Sequence, residues 1–380
     1  MFETTVIFLA GGYAPRMRPL SLSKPKSMIS FMGKPLLSYL IASLKLSGLP
    51  NIIICTSYEQ VEAEKYFSSG EKLGANIKYY ESKWYGTAGT TKHLVNKFGD
   101  EISDPFMVIY GDSLLKANYQ EMIEFHKIKN SCVTILDHCP NFESFLYEYQ
   151  GKDIDSERRT NYGVMDIDSG NRIIKIIEKP QVSEIKNIFS NPVANAAVYV
   201  LNKKILDFVP SNEPFDFPRN LFPLLVEKGK PCFAFDIGKG YRVDIGTIPN
   251  YYNTQIAILE GRIDFDICFP LLREGIWVGV GSIIDSMAKL DKPVLICENS
   301  NIGLNANVEW SIIGNKVHIG EHSSIRRSII LDNVIIGNKA KISWSIIGEN
   351  CIVGNGVSLP KGTILGNYCS VGGSQIIMKD

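Results

Sequence analysis

The segment Ser311–Gly320 reads SIIGNKVHIG, and the pattern returns without gaps in SIILDNVIIG (Ser328–Gly337) and SIIGENCIVG (Ser345–Gly354), each 17 residues after the last. A hexapeptide repeat of this kind forms a triangular coil in which each aliphatic residue points into the stack and small or Asn residues take the corners. A β-sandwich has no reason to keep a six-residue phase over so long a stretch. The sequence therefore predicts a left-handed parallel β-helix. The aliphatic residues that recur every five or six positions are Ile302, Val308, Ile313, Ile319, Ile325, Ile330, Ile336, Ile342, Ile347, Val353, Leu359, Leu365 and Val371.

The residues before the repeat follow a different pattern, in which short β-branched runs alternate with helical stretches. This alternation predicts an α/β domain with a mostly parallel sheet covered on both faces, and ligands of such sheets gather at the carboxyl ends of the strands. A linking helix is predicted over 247–262, so we expect domains at 1–262 and 263–380. The predicted strands are Thr5–Leu9, Asn51–Thr56, Ile77–Tyr80, Phe106–Tyr110, Cys132–Leu136 and Ala196–Leu201. The predicted helices are Leu36–Ser47, Tyr58–Phe67, Thr87–Phe98 and Tyr119–Lys129.

Composition excludes several classes of protein. The 380 residues carry 40 basic and 40 acidic side chains, so no bulk charge favours binding to nucleic acid or to an anionic membrane. The N-terminus has no basic region, and its apolar run Val6–Ala10 is too short for a signal peptide or a membrane span. Eight cysteines without a CxxC pair suggest neither a zinc cluster nor a disulfide framework. We therefore expect a cytoplasmic protein, with an oligomer formed through the exposed faces of the β-helix.

A glycine-rich loop, LAGGYAPRMRPL from Leu9 to Leu20, follows the first predicted strand directly. Such a loop turns successive backbone N–H groups toward phosphate oxygens, and Lys24 and Lys26 add positive charge nearby. The loop lacks the GxGxxG of a Rossmann dinucleotide site and the GK[ST] ending of a Walker loop. It therefore indicates a phosphate site without identifying the ligand.

The longer string LAGGYAPRMRPLSLSKPKSMISFMGKPLL resembles the opening of the sugar-1-phosphate nucleotidyltransferases, whose pattern is close to LAGGxGTRLxPLTxxxPKPMxPxxGKP. Further motifs of that family follow in its order, and the hexapeptide tail is similar to that of its mannose-1-phosphate guanylyltransferase subgroup. The resemblance implies a Rossmann-like nucleotidyltransferase domain followed by a left-handed β-helix. The matching motifs are Tyr85–Gly89 (YGTAG), Gly111–Asp112 (GD), Tyr162–Val164 (YGV), Glu178–Pro180 (EKP), Asn195–Ala197 (NAA) and Val243–Thr247 (VDIGT).

The family reaction joins a nucleoside triphosphate to a sugar 1-phosphate and releases pyrophosphate. Because the attacking group is already an oxyanion, the chemistry needs positioning and charge neutralisation rather than a covalent nucleophile. By the resemblance, Arg16 and Lys26 hold the triphosphate, with Asp112 as a further catalytic residue. Asp112 and Asp244 match the two carboxylates that hold Mg²⁺. Lys179 matches the lysine that contacts the sugar phosphate. The positions that line the hexose match Gly163, Glu178 and Asn195. The implied nucleotide-binding residues are Ala10, Gly11, Gly12, Ala14, Glu81, Gly86 and Thr87.

Glu81 bears on the choice of base. A carboxylate only accepts hydrogen bonds, so it suits the N1–H and N2–H₂ donors of guanine better than it suits uracil or thymine. This favours GTP, with mannose 1-phosphate or a related hexose 1-phosphate as acceptor. A thymidylyl or uridylyl transferase is the alternative within the same reaction.

The phosphate loop departs from the family pattern at two residues. The second glycine of GxGT is Ala14, which pays a steric cost if φ is positive, and the threonine is Pro15, which has no N–H to offer a phosphate. These changes raise the alternative of a non-catalytic, nucleotide-sugar-binding regulatory paralogue. A further alternative is a bifunctional enzyme whose β-helix transfers acyl groups with His318 or His322 as general base.

Overall fold

A computed structural model describes residues 4–12, 14–56, 60–83, 85–138, 159–160, 162–372 and 375–378. The chain forms two compact units. The α/β unit comprises Met1–Gly12 and Tyr39–Val243, and the β-helix unit comprises Tyr13–Ser38 and Asp244–Asp380. This division follows packing, whereas the boundary at residue 262 follows from the linking helix predicted from the sequence, and that boundary stays a prediction. Among the described residues, no helix is both long and apolar enough to cross a membrane.

The elements before residue 262 include each predicted strand and helix within a few residues, and Tyr58, where one helix is predicted to begin, lies outside the described residues. The strand predicted to begin at Ala196 begins earlier, at Pro192, because residues 192–194 pair with a neighbouring strand. The strands are β1 (Val6–Leu9), β2 (Ser30–Phe31), β3 (Lys34–Pro35), β4 (Asn51–Thr56), β5 (Asn76–Glu81), β6 (Phe106–Tyr110), β7 (Ser113–Lys116), β8 (Val133–Asp137), β9 (Gly163–Ile167), β10 (Ile173–Glu178), β11 (Pro192–Leu201), β12 (Cys232–Asp236) and β13 (Tyr241–Asp244). The helices are α1 (Leu36–Leu46), α2 (Gln60–Phe67), α3 (Gly86–Phe98), α4 (Tyr119–Ile128), α5 (Val182–Ile188), α6 (Phe222–Glu227) and α7 (Ile248–Leu259).

The sheet of the α/β unit has the order β10-β9-β11-β6-β1-β4-β5 in the part that the structure describes, with β8 pairing both β11 and β12. Strands β6, β1, β4 and β5 run parallel, while β11, β9 and β10 add antiparallel pairs on one side. The central strand β1 is apolar, and three of its residues have no exposed surface: Val6, Ile7 and Phe8. A strand buried on both faces is typical of a parallel sheet whose two faces are covered by other elements. The predicted fold class is therefore confirmed.

The C-terminal strands stack in parallel register with the spacing of the repeat. Ile312 pairs with Ile329, which pairs with Ile346. The predicted inward residues from Ile302 to Val353 are at most 1% exposed, whereas Leu359 is only partly buried. The strands are β14 (Leu271–Arg273), β15 (Ile276–Val278), β16 (Ile283–Ile284), β17 (Lys289–Ile296), β18 (Asn301–Ile302), β19 (Asn307–Ile313), β20 (His318–Ile319), β21 (Ser324–Arg326), β22 (Ile329–Ile330), β23 (Ile335–Ile336), β24 (Lys341–Ser343), β25 (Ile346–Ile347), β26 (Ile352–Val353), β27 (Ile364–Leu365), β28 (Cys369–Gly372) and β29 (Gln375–Met378).

The corners of the coils correct one expectation from the repeat. Asn occupies several left-handed corner positions, such as Asn333 with φ 59°, but one corner column carries large side chains instead. There the guanidinium of Arg327 lies 4.2 Å from the ring centre of Trp310 and 4.9 Å from that of Trp344. Stacking of a cation on an aromatic face is favourable. It offsets the cost of a positive φ in a residue with a Cβ, so corners of this β-helix are not restricted to small residues or Asn.

Candidate functional site

The carboxyl ends of the parallel strands β1, β4, β5 and β6 share one edge of the sheet in the α/β unit. Residues 10–12 continue from β1, Glu81 ends β5 and is exposed, and Asp112 follows β6 after Gly111. The Gly111 N–H donates to the Leu9 carbonyl at 3.1 Å, which ties these two loops together. A Cβ on Gly12 would meet no heavy atom within 4 Å. Open space above this loop is what a ligand that approaches the backbone requires.

Gly86 and Thr87 begin helix α3. Gly86 has φ 68°, and a Cβ there would lie 2.6 Å from the Phe215 carbonyl oxygen, so only glycine fits. The backbone N–H and hydroxyl of Thr87 both donate to the Asp216 carboxylate, at 2.9 and 3.1 Å. Asp216 thereby satisfies donors at the first turn of α3 and places negative charge at the positive end of the helix. Both donors of Thr87 serve the fold, and its contact with a nucleotide stays a prediction.

Three of the predicted hexose-binding residues meet on neighbouring strands. Gly163 of β9 pairs with Glu178 of β10, and β9 also pairs with β11, which carries Asn195. A Cβ on Gly163 would lie 2.8 Å from Glu178 Oε2 and 3.6 Å from Asn195 Nδ2. The Asn195 amide donates to the Tyr199 hydroxyl at 3.2 Å and accepts from the Ala197 N–H at 2.8 Å, which fixes its orientation. Sheet pairing thus gathers residues that the sequence separates.

Burial raises the pKa of the Glu178 carboxyl, and the charge of Lys179 opposes that rise. The Lys179 ammonium lies 3.8 Å from Glu178 Oε1 and is about half exposed. Lys179 has φ 51°, and its carbonyl accepts a hydrogen bond from Arg159 at 3.2 Å. These three residues and Arg219 line a cleft of about 540 Å³. Sequence reasoning missed Arg159 and Arg219, because neither belongs to a motif and a single arginine in a polar stretch is normally solvated.

A second group that sequence reasoning missed lies beside the same strands. The Arg242 guanidinium stacks 5.0 Å from the Tyr162 ring centre, and its buried Nε has no hydrogen-bond partner among the described residues. Burial, followed by the charge of Arg242, lowers the pKa of His138 to about 4. At neutral pH, a neutral imidazole therefore lies within electrostatic reach of the charged Arg242 guanidinium. The position of Arg242 directly before the VDIGT motif was the available signal.

In the β-helix unit, the phosphate loop continues through a tight turn. Ala14 has φ 42° and ψ 57°, and its carbonyl accepts from the Met17 N–H and from the Ser21 hydroxyl, at 2.9 and 2.8 Å. The left-handed conformation explains why the family pattern has glycine at this position, since a Cβ costs about 1 to 2 kcal/mol there. Residues 15–17 form one turn of 3₁₀ helix and leave Arg16 exposed. The steric cost expected for Ala14 is therefore present.

Arg16, Lys26 and Asp244 are brought together in this unit around Gly246. A Cβ on Gly246 would lie 2.8 Å from Asp244 Oδ1, 3.1 Å from Lys26 Nζ and 3.3 Å from Arg16 Nη2. Lys26 is only 7% exposed, and its ammonium lies 3.6 Å from Asp244 Oδ1. The Gly246 N–H donates to the same Asp244 oxygen at 2.8 Å. Two cations and a carboxylate from distant parts of the sequence therefore form one cluster.

The donor set fits a divalent ion of the magnesium type. Mg²⁺ prefers oxygen ligands and is normally held by one or two carboxylates together with waters and substrate phosphates. Across the described residues, no three or more Asp, Glu, His or Cys side chains form a dedicated metal cage. Carboxylates such as those of Asp112 and Asp244 are the kind of ligand that such a site needs, and their role in holding the ion stays a prediction. His318 and His322 are both exposed on the surface of the β-helix, and His322 occupies a left-handed corner with φ 58°.

A parallel sheet, a glycine-rich loop after its first strand and a cluster of cations and carboxylates are typical of domains that handle phosphorylated ligands. The nucleotidyl transferase family model matches residues 5–261, and the model of the EIF2B subunit epsilon LbH domain matches residues 273–377. The chain belongs to the nucleotidyl transferase family. The resemblance stated from the motifs and the expected β-helix tail are thereby confirmed.

Three similar proteins are 28%, 29% and 30% identical to this chain over the aligned residues. A UTP--glucose-1-phosphate uridylyltransferase from Synechocystis sp. is 28% identical over 285 residues, which cover 72% of this chain and 68% of that protein. A putative mannose-1-phosphate guanyltransferase from Sulfolobus acidocaldarius is 29% identical over 312 residues, which cover 81% and 75%. Mannose-1-phosphate guanyltransferase beta-B from Xenopus laevis is 30% identical over 258 residues, which cover 67% and 64%.

Proposed function

We propose that this protein transfers a nucleotidyl group from a nucleoside triphosphate to a sugar 1-phosphate and releases pyrophosphate. The cluster of Arg16, Lys26 and Asp244 around Gly246 is the observation that carries the proposal. A buried ammonium group needs a compensating charge, and the Asp244 carboxylate supplies one for Lys26. A site of this composition suits a ligand with several negative charges and a bound metal ion.

The reaction proceeds by in-line displacement at the α-phosphorus. A phosphate oxygen of the sugar 1-phosphate forms the new P–O bond, and the bond from the α-phosphorus to the bridging oxygen of pyrophosphate breaks. No proton has to be removed from the nucleophile, because it is already an oxyanion at neutral pH. The protein's task is to bring two anions together and to neutralise them.

The residues divide this task by their chemistry. Arg16 offers a planar fork to the triphosphate and Lys26 a compact charge, while Lys179 meets the phosphate of the sugar. Gly163, Glu178 and Asn195 face the hexose, where an anionic Glu178 accepts hydrogen bonds from hydroxyl groups. Asp112 and Asp244 would hold Mg²⁺, which when bound neutralises phosphate charge. The loop Ala10–Gly12, with Ala14, Gly86 and Thr87, borders the nucleotide.

Guanine is the base that we propose, with mannose 1-phosphate as the preferred acceptor. The exposed carboxylate of Glu81 at the end of β5 suits a base edge with two donors. Relatives named as mannose-1-phosphate guanyltransferases support this choice, while the uridylyltransferase relative keeps UTP and glucose 1-phosphate as the competing pair. We further propose that the protein acts in the cytoplasm as an oligomer assembled through the β-helix.

The test is a matrix of the four NTPs against mannose, glucose and other sugar 1-phosphates, with pyrophosphate release as the readout. We expect the highest kcat/KM for GTP with mannose 1-phosphate. Turnover with UTP and glucose 1-phosphate alone would overturn the choice of substrates and keep the reaction. No turnover with any pair, together with measurable binding of a nucleotide sugar, would overturn the catalytic function.

A regulatory paralogue is the second candidate, because Pro15 offers no N–H to a phosphate and Ala14 is strained. The double variant Ala14→Gly, Pro15→Thr tests this interpretation. A restored donor is expected to raise kcat/KM about 10-fold, in line with about 1 to 1.5 kcal/mol for one hydrogen bond. Unchanged kinetics would show that the missing donor does not limit the reaction. Appearance of turnover only in the double variant would establish the natural chain as a regulator.

A further inference from the structure

A column of polar side chains runs along one corner of the β-helix. Its members Asn315, Asp332, Glu349 and Asn367 occupy equivalent positions in successive coils. Neighbours in the column are linked, since the Asn315 N–H donates to Asp332 Oδ1 and the Glu349 N–H donates to Asn367 Oδ1, each at 2.8 Å. We call these four residues the polar column. Two carboxylates stacked on one corner repel each other unless something positive faces them.

The polar column contacts the segment that carries Arg16 and Lys26. Glu349 forms an ion pair with Lys24. Asn367 Nδ2 donates to the Ser23 hydroxyl at 2.7 Å, and Asn315 Nδ2 donates to the Gly33 carbonyl at 2.9 Å. Two of these contacts therefore fall between Arg16 and Lys26, and the third lies a few residues beyond.

The ion pair between Lys24 and Glu349 is mostly buried. The Glu349 side chain is 7% exposed and that of Lys24 is 22% exposed. Burial also raises the pKa of Asp332, one coil away, and the charge of Lys24 is among the influences that oppose the rise. Removal of one member of a buried pair leaves the other charge uncompensated. The segment is thus held electrostatically as well as by packing.

The backbone on the Arg16 side of Lys24 is also close to the coils. A Cβ on Gly366, the residue before Asn367, would lie 3.1 Å from the Pro19 side chain. Pro19, Ser23 and Lys24 therefore all rest on the last coils of the β-helix. Beyond them, Lys26 reaches the cluster around Gly246. Only one residue separates Lys24 from Lys26, and that residue is Pro25, whose ring restricts φ.

We propose that Glu349 is a positioning residue that acts through Lys24 to hold Arg16 and Lys26 in the geometry that binds the triphosphate. This inference rests on the proposed function. It gives the β-helix coils a part in nucleotide binding, although no catalytic side chain is assigned to the coils themselves. Asn367 and Asn315 support the same segment by neutral hydrogen bonds.

The test is a double-mutant cycle of Glu349→Gln, Lys24→Met and the combined variant. Each single variant is expected to raise KM for the nucleoside triphosphate about 10-fold, the usual size for a charge-assisted contact, with less than about a twofold change in KM for the sugar 1-phosphate. The combined variant is expected to match the singles, because both residues act through one pair. Hydrogen exchange of backbone amides from residue 17 to residue 31 should accelerate in all three variants.

Glu309→Gln is the matched control, since it removes a more exposed ion pair with Arg326, at 3.1 Å, elsewhere on the β-helix. It should leave KM and hydrogen exchange unchanged. Turnover in the natural protein with unchanged KM and exchange in Glu349→Gln would overturn this inference and leave the proposed function intact. Suppose instead that exchange accelerates in the variants but the natural protein turns over no substrate pair. That result would overturn the proposed function and the role of Glu349 in nucleotide binding, and would retain only the packing of the segment against the coils. Additive effects in the cycle would show that Glu349 does not act through Lys24. Should Glu349→Gln fail to fold, Lys24→Met alone gives the same readouts.

Discussion

The two units carry different halves of the proposed chemistry. The α/β unit holds Gly163, Glu178 and Asn195 on paired strands, beside Lys179, and these residues are suited to the sugar phosphate. The β-helix unit holds the cluster of Arg16, Lys26 and Asp244, which is suited to the triphosphate. This comparison shows that the boundaries of the two packing units do not match the boundaries that the sequence motifs suggest. A segment near the N-terminus packs with coils near the C-terminus, so each unit has its own contribution to test.

The largest effect is expected from the two carboxylates, one in each unit. Asp112→Asn and Asp244→Asn should each lower kcat by more than about 100-fold, because each removes a charge that a metal ion needs near the phosphates. Pyrophosphate release and thermal unfolding measure activity and folding separately. Full activity in either variant would remove that residue from the proposed metal site. The matched control Asp236→Asn alters an exposed carboxylate and should behave like the natural protein.

Variants of Lys26 and Lys179 test whether the two units bind different substrates. Lys26→Ala should raise KM for the nucleoside triphosphate about 10- to 100-fold, whereas Lys179→Ala should raise KM for the sugar 1-phosphate by a similar factor, since each removes a charge-assisted contact of about 1.5 to 3 kcal/mol. Initial rates over a grid of both substrates give the two KM values. Equal effects of either variant on both substrates would contradict the division of labour. Lys316→Ala, on a corner of the β-helix, serves as the control.

Acid is expected to weaken the α/β unit through His138, whose pKa is lowered to about 4 by burial and by Arg242. The unfolded chain takes up this proton near pH 6.5, while the folded chain does so only near pH 4. The free energy of unfolding should therefore fall by about 2 kcal/mol as the pH drops through that interval. Thermal unfolding of the natural protein and of His138→Gln between pH 7.5 and 4 measures the difference. The exposed His318 of the β-helix gives the control variant, His318→Gln, which should keep the natural profile. An identical slope in His138→Gln would refute the assignment.

The smallest effects concern two alanines in left-handed conformation, one in each unit. Ala14 has φ 42° and Ala197 has φ 59°, and both stand where the family pattern has glycine. Ala14→Gly and Ala197→Gly should each stabilise the protein by about 1 kcal/mol, because relief of steric strain exceeds the entropy lost by glycine. Denaturant unfolding of the two variants provides the measurement. Ala196→Gly, at a neighbouring position without a positive φ, should be destabilising, and a similar result at Ala197 would argue against strain there.

Much of the fold followed from sequence because its patterns are local. The period of the hexapeptides fixed the inward residues of the β-helix, and the alternation of strands with helices fixed the parallel sheet. The site motifs were equally visible, yet Arg159, Arg219 and Arg242 were not, because their proximity to Lys179 and Tyr162 arises from strand pairing and chain folding. The packing of residues 13–38 with the coils was also hidden. It depends on contacts such as the Gly33 carbonyl with Asn315, which no periodicity encodes.

The packing of residues 13–38 with the β-helix coils has a consequence for the evolution of such chains. If the C-terminal β-helix were an independent module, recombination near residue 262 could exchange it between relatives with no change elsewhere in the chain. In this chain the exchange would bring foreign side chains against Ser23, Lys24 and Gly33. A transplanted tail would therefore have to arrive together with a compatible N-terminal loop. Inheritance of the two stretches as a pair is the expected evolutionary signature of this arrangement.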